Sequence, residues 1–100
     1  MRPAFGVPVE EIQEGIRNGV RKVNVDTDGR LAITAALRES IKAHPAEFDP
    51  RAFFRPARQA MKEVVAQRMV DFGSAGHAGD YEVLALSEMA ARYAGSPVGA

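Results

Sequence analysis

The sequence has no cysteine and no tryptophan, and only two histidines. Without cysteine, disulfide frameworks and thiolate metal sites are excluded. His44 and His77 lie far apart, with no Glu or His at ligand spacing, so no metal ligand set is read here. An excess of either charge is also missing: Lys+Arg 13 balances Asp+Glu 13, which argues against nucleic acid as a partner. No apolar run approaches the roughly 18 residues of a membrane span, and the N-terminus has no secretory h-region. A soluble cytoplasmic chain with no membrane partner is the expectation. At 100 residues the chain makes one small domain at most. Internal repeats and low-complexity segments are absent, and a strand-like alternation occurs only once.

That one stretch organises the rest. In Val20-Arg21-Lys22-Val23-Asn24-Val25, Val23 and Val25 alternate with Lys22 and Asn24, the period-two pattern that predicts a short strand over 20–25. It ends in Asn24-Val25-Asp26-Thr27-Asp28 and opens onto an amphipathic run predicting a helix over 28–43. A polar strand tip at the mouth of a helix suits an anion, because the first helical N–H groups lack internal partners and sit at the positive end of the dipole.

Taken in order, Val9, Ile12 and Ile16 form a stripe predicting a helix over 8–18, with Pro8 in its first turn and Asn18-Gly19 as its end. His44-Pro45 stops the second helix. Asp49-Pro50 is a start signal, an N-cap acid followed by proline. Pro56 predicts a break, dividing a short piece over 50–54 from a longer helix over 56–72. Met61, Val64, Val65, Met69 and Phe72 form its expected buried stripe. Gly73 ends it and residues 73–80 form a glycine-rich loop. Ser87 is expected to cap a last helix over 88–94, with Leu86 as a hydrophobic staple. The tail from Gly95 is expected to be disordered.

Several motifs in register carry a family resemblance. Gly6-Val7-Pro8-Val9-Glu10-Glu11-Ile12-Gln13, Gly19-Val20-Arg21-Lys22-Val23 and Asn24-Val25-Asp26-Thr27-Asp28 are followed by Phe48-Asp49-Pro50-Arg51 and Pro56-Ala57 with Ala60-Met61. Phe72-Gly73-Ser74-Ala75-Gly76 and Leu86-Ser87-Glu88-Met89-Ala90 complete the set. Together they resemble the C-terminal part of class II, zinc-dependent fructose-bisphosphate aldolases. The resemblance implies an α/β fold class: residues 1–100 as the C-terminal fragment of a (β/α)8 TIM barrel, one short last strand at 20–25 plus mostly α-helices over 28–94. A barrel needs roughly 250 residues, so one strand cannot close it.

The resemblance also implies roles. Asn24, Val25, Asp26 and Thr27 match the segment that binds dihydroxyacetone phosphate. Asn24 would bond the substrate near the reacting carbons, while Asp26 and Thr27 seat its phosphate. A carboxylate repels phosphate, so Asp26 should offer its backbone N–H. The plain alternative is a turn and helix cap, against which Asn24 lies inside the predicted strand, where Asn is depleted. Arg51 would reach a neighbouring subunit and bind the second phosphate of the bisphosphate, a contact that suits a planar guanidinium. Its alternative is a solvated surface arginine. Lys22 should share a face with Asn24 and need an ion-pair partner. His77 stands where the family usually has glutamine.

The complete enzyme so implied cleaves fructose 1,6-bisphosphate reversibly to dihydroxyacetone phosphate and glyceraldehyde 3-phosphate, in glycolysis, gluconeogenesis or the Calvin cycle, as a homo-oligomer. Zinc is its cofactor, polarising the ketone as a Lewis acid; the zinc ligands and catalytic acid belong to earlier strands, so no catalytic residue is expected in this chain, which alone should be inactive. Part of a tagatose-bisphosphate aldolase is an alternative. Those enzymes tend to carry Ala-Thr-Glu after Asn-Val and to lack the Asp-Pro-Arg insertion, and both differences favour the fructose enzyme. A different class of reading is a non-catalytic helical interaction module acting through its apolar faces.

Overall fold

A computed structural model describes residues 6–95 of the chain. The expectation for the tail beyond Gly95 lies outside the described residues. Four helices occur in order: α1, Val9–Arg17; α2, Thr27–Ala43; α3, Pro50–Asp71; and α4, Leu86–Ala94. A 3₁₀ turn, Ala78–Asp80, lies between α3 and α4. No described helix is both long and apolar enough to cross a membrane.

Helix α1 starts after Pro8, with Glu10 and Glu11 in the first turn facing the positive end of the dipole. At its end the Asn18 side-chain amide donates to the Glu14 carbonyl at 2.8 Å. Gly19 then takes a φ of 112°, in the left-handed region that favours glycine. The chain turns back so that the Val20 N–H donates to the Gly15 carbonyl at 2.9 Å.

The strand expected over 20–25 does not form; there is no strand among the described residues. A strand is completed by a ladder of N–H and C=O bonds to a neighbour. This sequence holds one strand-like segment and no second to pair with it. Val20 and Val25 are each 42 % exposed as a result.

Helices α2 and α3 form an antiparallel hairpin, joined by a connection that Glu47 and Asp49 organise. One Glu47 carboxylate oxygen accepts from the Phe48 and Asp49 N–H groups at 3.0 and 2.9 Å. Asp49 caps α3 by accepting from the Arg51 N–H at 3.0 Å. Helix α3 runs unbroken through Pro56, contrary to the expected break. Proline removes the bond that would reach the Ala52 carbonyl. Ala52 is exposed, so solvent can satisfy that carbonyl, and the bonds on either side hold the helix together. Its C-terminus closes with the Ser74 N–H donating to the Met69 carbonyl and the Gly73 N–H to Val70, Gly73 having a φ of 78°. Those two bonds are the Schellman pattern.

Helix α4 begins at Leu86 and not at residue 88. Ser87 therefore lies in the first turn, behind the position from which its hydroxyl could cap, and Ala85 stands at the N-cap without a side-chain bond. Leu86 is 90 % exposed and staples nothing.

The core is small. Ala57 is the only buried hydrophobic residue among those described. The other buried position, Gly29, brings the first turn of α2 against Met61 of α3. The expected buried stripe is partly open: Val65 is 36 % and Met69 50 % exposed. With Val25 and Gly29 it lines an apolar cleft of about 180 Å³. The radius of gyration is 19.8 Å, against about 13 Å for a compact domain of this length. Among the described residues nothing covers these apolar faces.

Candidate functional site

Asn24, Val25, Asp26, Thr27 and Asp28 line one open groove of about 430 Å³, with the start of α1 on one side and Arg68 and Phe72 of α3 on another. Sequence neighbours are expected to share a site, but the approach of α3 is a tertiary result. It is held by Asp28: the Arg68 Nε donates to an Asp28 carboxylate oxygen at 2.9 Å. The same guanidinium donates through a terminal nitrogen to Asp71, also at 2.9 Å. Both carboxylates raise the Arg68 pKa, Asp28 more than Asp71. The Asp71 carboxyl is held below its ordinary range, first by the Gln67 side-chain amide and then by Arg68. From α1, the Gln13 side-chain amide donates to the Asp71 carbonyl at 3.0 Å. One end of α3 thus fastens both the helix before the tip and the helix after it.

At the tip, Asp26 is the N-cap residue of α2, yet its carboxylate makes no capping bond. It accepts from the Arg30 Nε one turn on, at 2.8 Å, and raises the Arg30 pKa. The Thr27, Asp28 and Gly29 N–H groups have no acceptor among the described residues, the first intrahelical bond being Arg30 N–H to the Asp26 carbonyl at 3.1 Å. The groove therefore meets the positive end of a 17-residue helix with three N–H donors free. The Asp26 charge is turned along the helix and partly neutralised by Arg30. Such a place can accept a phosphate oxygen through backbone donors.

Arg51 is not brought to this groove. It is exposed at the start of α3, where its guanidinium makes three bonds of 2.7–3.1 Å to the Asp49 carboxylate. That contact lowers the Asp49 pKa, through the Arg51 side chain first and its N–H second, and raises the Arg51 pKa. Lys22 is exposed and has no ion-pair partner among the described residues, so the expected structural ion pair is absent. The segment carrying it has no second strand beside it to supply a carboxylate. His44 ends α2 with its Nδ1 3.3 Å from the Ser40 carbonyl. His77 pairs with Asp80 at 2.7 Å.

Arg68 escaped the sequence reading. Its signal was present: it falls on the Met61, Val64, Val65, Phe72 face of α3, where a charge needs a partner, and Asp71 follows at a spacing of three. Among the described residues no group of three His, Cys, Asp or Glu could hold a metal ion. The described residues therefore supply no ligand set for zinc.

The family model for fructose-bisphosphate aldolase class-II matches residues 3–77, which include the tip, Arg51 and Arg68. The chain belongs to that family. Over 90 residues it is 57 % identical to a fructose-bisphosphate aldolase of Nostoc sp., covering 90 % of this chain and 25 % of that protein. It is 51 % identical to fructose-bisphosphate aldolase 2 of Cereibacter sphaeroides, covering 94 % of this chain and 27 % of the relative. A shorter relative, fructose-bisphosphate aldolase 2 of Rhodobacter capsulatus, is 50 % identical over 94 residues, of which 82 % of its length is matched. Apart from that one, the chain spans about a quarter of the length of these curated relatives. A barrel belongs to the longer class-II aldolase, and what this chain presents of it is helical.

Proposed function

We propose that these 100 residues are the C-terminal substrate-phosphate-binding portion of a class II fructose-bisphosphate aldolase. The complete protein would cleave fructose 1,6-bisphosphate reversibly to dihydroxyacetone phosphate and glyceraldehyde 3-phosphate. The observation that carries the reading is the tip groove, where the residues matching the family's substrate segment include Thr27 and Asp28, whose N–H groups at the start of α2 have no acceptor among the described residues. Residues 20–25 become a barrel strand once a neighbouring strand pairs with them, and the cleft beside Val25 and Met61 then closes under the barrel.

In this reading the Thr27 N–H and hydroxyl and the Asp26 N–H hold the phosphate of dihydroxyacetone phosphate. The Arg30 contact keeps the Asp26 carboxylate from facing it. Asn24 donates to the substrate near the reacting carbons, and Val25 packs beneath it. Arg51, poised by Asp49, reaches the second phosphate in a neighbouring subunit of a homo-oligomer. The zinc ligands and the proton-transferring acid belong to parts of the aldolase that this chain does not supply, so it contributes binding and orientation. A fructose substrate is favoured over tagatose by Asp26-Thr27-Asp28 and by Asp49-Pro50-Arg51. The pathway is central sugar-phosphate metabolism in the cytoplasm.

The test is Asn24→Ala in the complete enzyme. A donor acting where charge develops is worth about 10²–10³ in rate, so kcat and kcat/KM should fall together. A rise in KM alone would refute the placement of Asn24 at the reacting carbons.

A further inference from the structure

Two acids line the tip groove, Asp26 and Asp28, and Arg68 is the one cationic side chain among the described residues lining it. A phosphate entering there meets the N–H donors of α2 and, beside them, two carboxylates that repel it. The Asp26 charge is taken up by Arg30, which does not line the groove. The cation for Asp28 comes instead from the far end of α3, the Arg68 Nε at 2.9 Å. The Asp26–Arg30 pair stands in solvent, whereas the Arg68 and Asp28 side chains are 27 % and 39 % exposed, so the second pair is screened less. Behind the guanidinium, one Asp71 oxygen accepts from its Nη1 and the other from the Gln67 amide, both at 2.9 Å. Asp71 does not line the groove. It therefore aims Arg68 at Asp28 without adding to the acids around the seat.

We propose that Arg68 is a positioning residue for the phosphate of the three-carbon substrate, acting through Asp28. It draws that carboxylate onto α3 and offsets its charge, so that a dianion can sit on the backbone donors at Thr27. The proposal rests on the reading of the tip as the phosphate seat, and adds to it the group that keeps the seat from being acidic. No bond from Arg68 to the substrate is required. A purely mechanical brace would behave differently in two respects. Its loss would weaken charged and uncharged ligands alike, and removing the Asp28 charge afterwards would restore nothing.

The experiment measures, in the complete enzyme, the Kd of dihydroxyacetone phosphate and of inorganic phosphate by calorimetry, and inhibition by uncharged dihydroxyacetone. Arg68→Met should weaken both anions about tenfold, the scale of one poorly screened like charge restored beside the seat, and leave dihydroxyacetone unchanged. Arg68→Lys keeps the charge and should stay close to wild type. Asp28→Asn should bind the anions at least as well as wild type, because its amide oxygen still accepts from the Arg68 Nε. The double variant Arg68→Met with Asp28→Asn should regain most of the lost affinity, which also shows that it folds. Wild-type affinity in Arg68→Met, no recovery in the double variant, or equal losses for dihydroxyacetone and its phosphate would each overturn the proposal. Thr27→Ala separates this from the reading beneath it. If it weakens the anions while the Arg68 pattern is missing, only the role of Arg68 falls; if it leaves them unchanged, the seat and the proposal fall together.

Discussion

Arg68, three residues from the end of α3, holds Asp28 in the first turn of α2 at 2.9 Å, across 40 residues of sequence. The contact sets the height of α3 beside the N-terminus of α2, and so the wall of the groove in which Asn24 and Thr27 lie. Two carboxylates share one guanidinium that is 27 % exposed.

Replacing Arg68 by Met in the complete enzyme should lower stability by about 1 kcal/mol, the upper end for partly exposed ion pairs. It should also weaken dihydroxyacetone phosphate binding through displacement of Asp28 and Thr27. The sign of the pH dependence follows from Asp71. Its folded pKa lies below the ordinary value of 3.8, so its contribution is present at neutral pH and disappears as pH falls through the depressed value. Urea titrations of wild type and Asp71→Asn should therefore differ at neutral pH and converge in acid. Curves that differ by the same amount at both would contradict the pairing.

Gly29 of α2 lies directly against Met61 of α3. A Cβ there would stand 2.5 Å from the Met61 sulfur and 2.7 Å from its terminal carbon. Gly29→Ala should be nearly neutral, because the flexible thioether can swing aside and alanine gains up to about 1 kcal/mol in helix propensity. Gly29→Val adds branched bulk and should cost about 1–3 kcal/mol, with partial recovery when Met61 is also replaced by Ala. Thermal melts of the three variants decide it; an unperturbed Gly29→Val would mean the helices are not in contact there.

The 100-residue chain by itself should be helical without being firmly packed. Leu31, Val65, Met69 and Val70 are exposed on the hairpin, and Leu86 and Tyr93 on α4. Hydrogen exchange should be slowest in α2 and α3 and fast in α1 and α4. An apolar-sensitive dye should bind. Zinc should bind no more tightly than to any histidine-poor peptide, and aldolase activity should be absent. Chelator-sensitive activity of this chain, or uniformly slow exchange across all four helices, would oppose this picture.

Much of the helical order is readable before any coordinates. Asp49-Pro50 marks the start of α3 because both the cap and the proline act locally, and Gly19 and Gly73 mark ends because only their backbones take positive φ there. Local rules fail where the outcome depends on something distant. The Val20–Val25 pattern needs a partner strand that this sequence does not contain. Pro56 breaks nothing, because the carbonyl it abandons belongs to an exposed residue. Ser87 misses the cap because α4 begins earlier. Of the substrate residues, Asn24 to Thr27 are contiguous and so share a groove, while Arg51 lies apart from them. Arg68 joins the groove only through tertiary contact, which a scan for motifs does not register.

The division of the substrate between the tip and Arg51 is tested most directly by following two reactions of the complete enzyme at once: exchange of the α-proton of dihydroxyacetone phosphate, and cleavage of the bisphosphate. Asn24→Ala should depress both, since both need the three-carbon phosphate held at the tip. Arg51→Ala should leave proton exchange nearly intact and weaken only the bisphosphate and glyceraldehyde phosphate, by about 1.5–3 kcal/mol for one charge-assisted contact. Equal loss of exchange and cleavage in Arg51→Ala would contradict the assignment of the two phosphates to two separate parts of this chain.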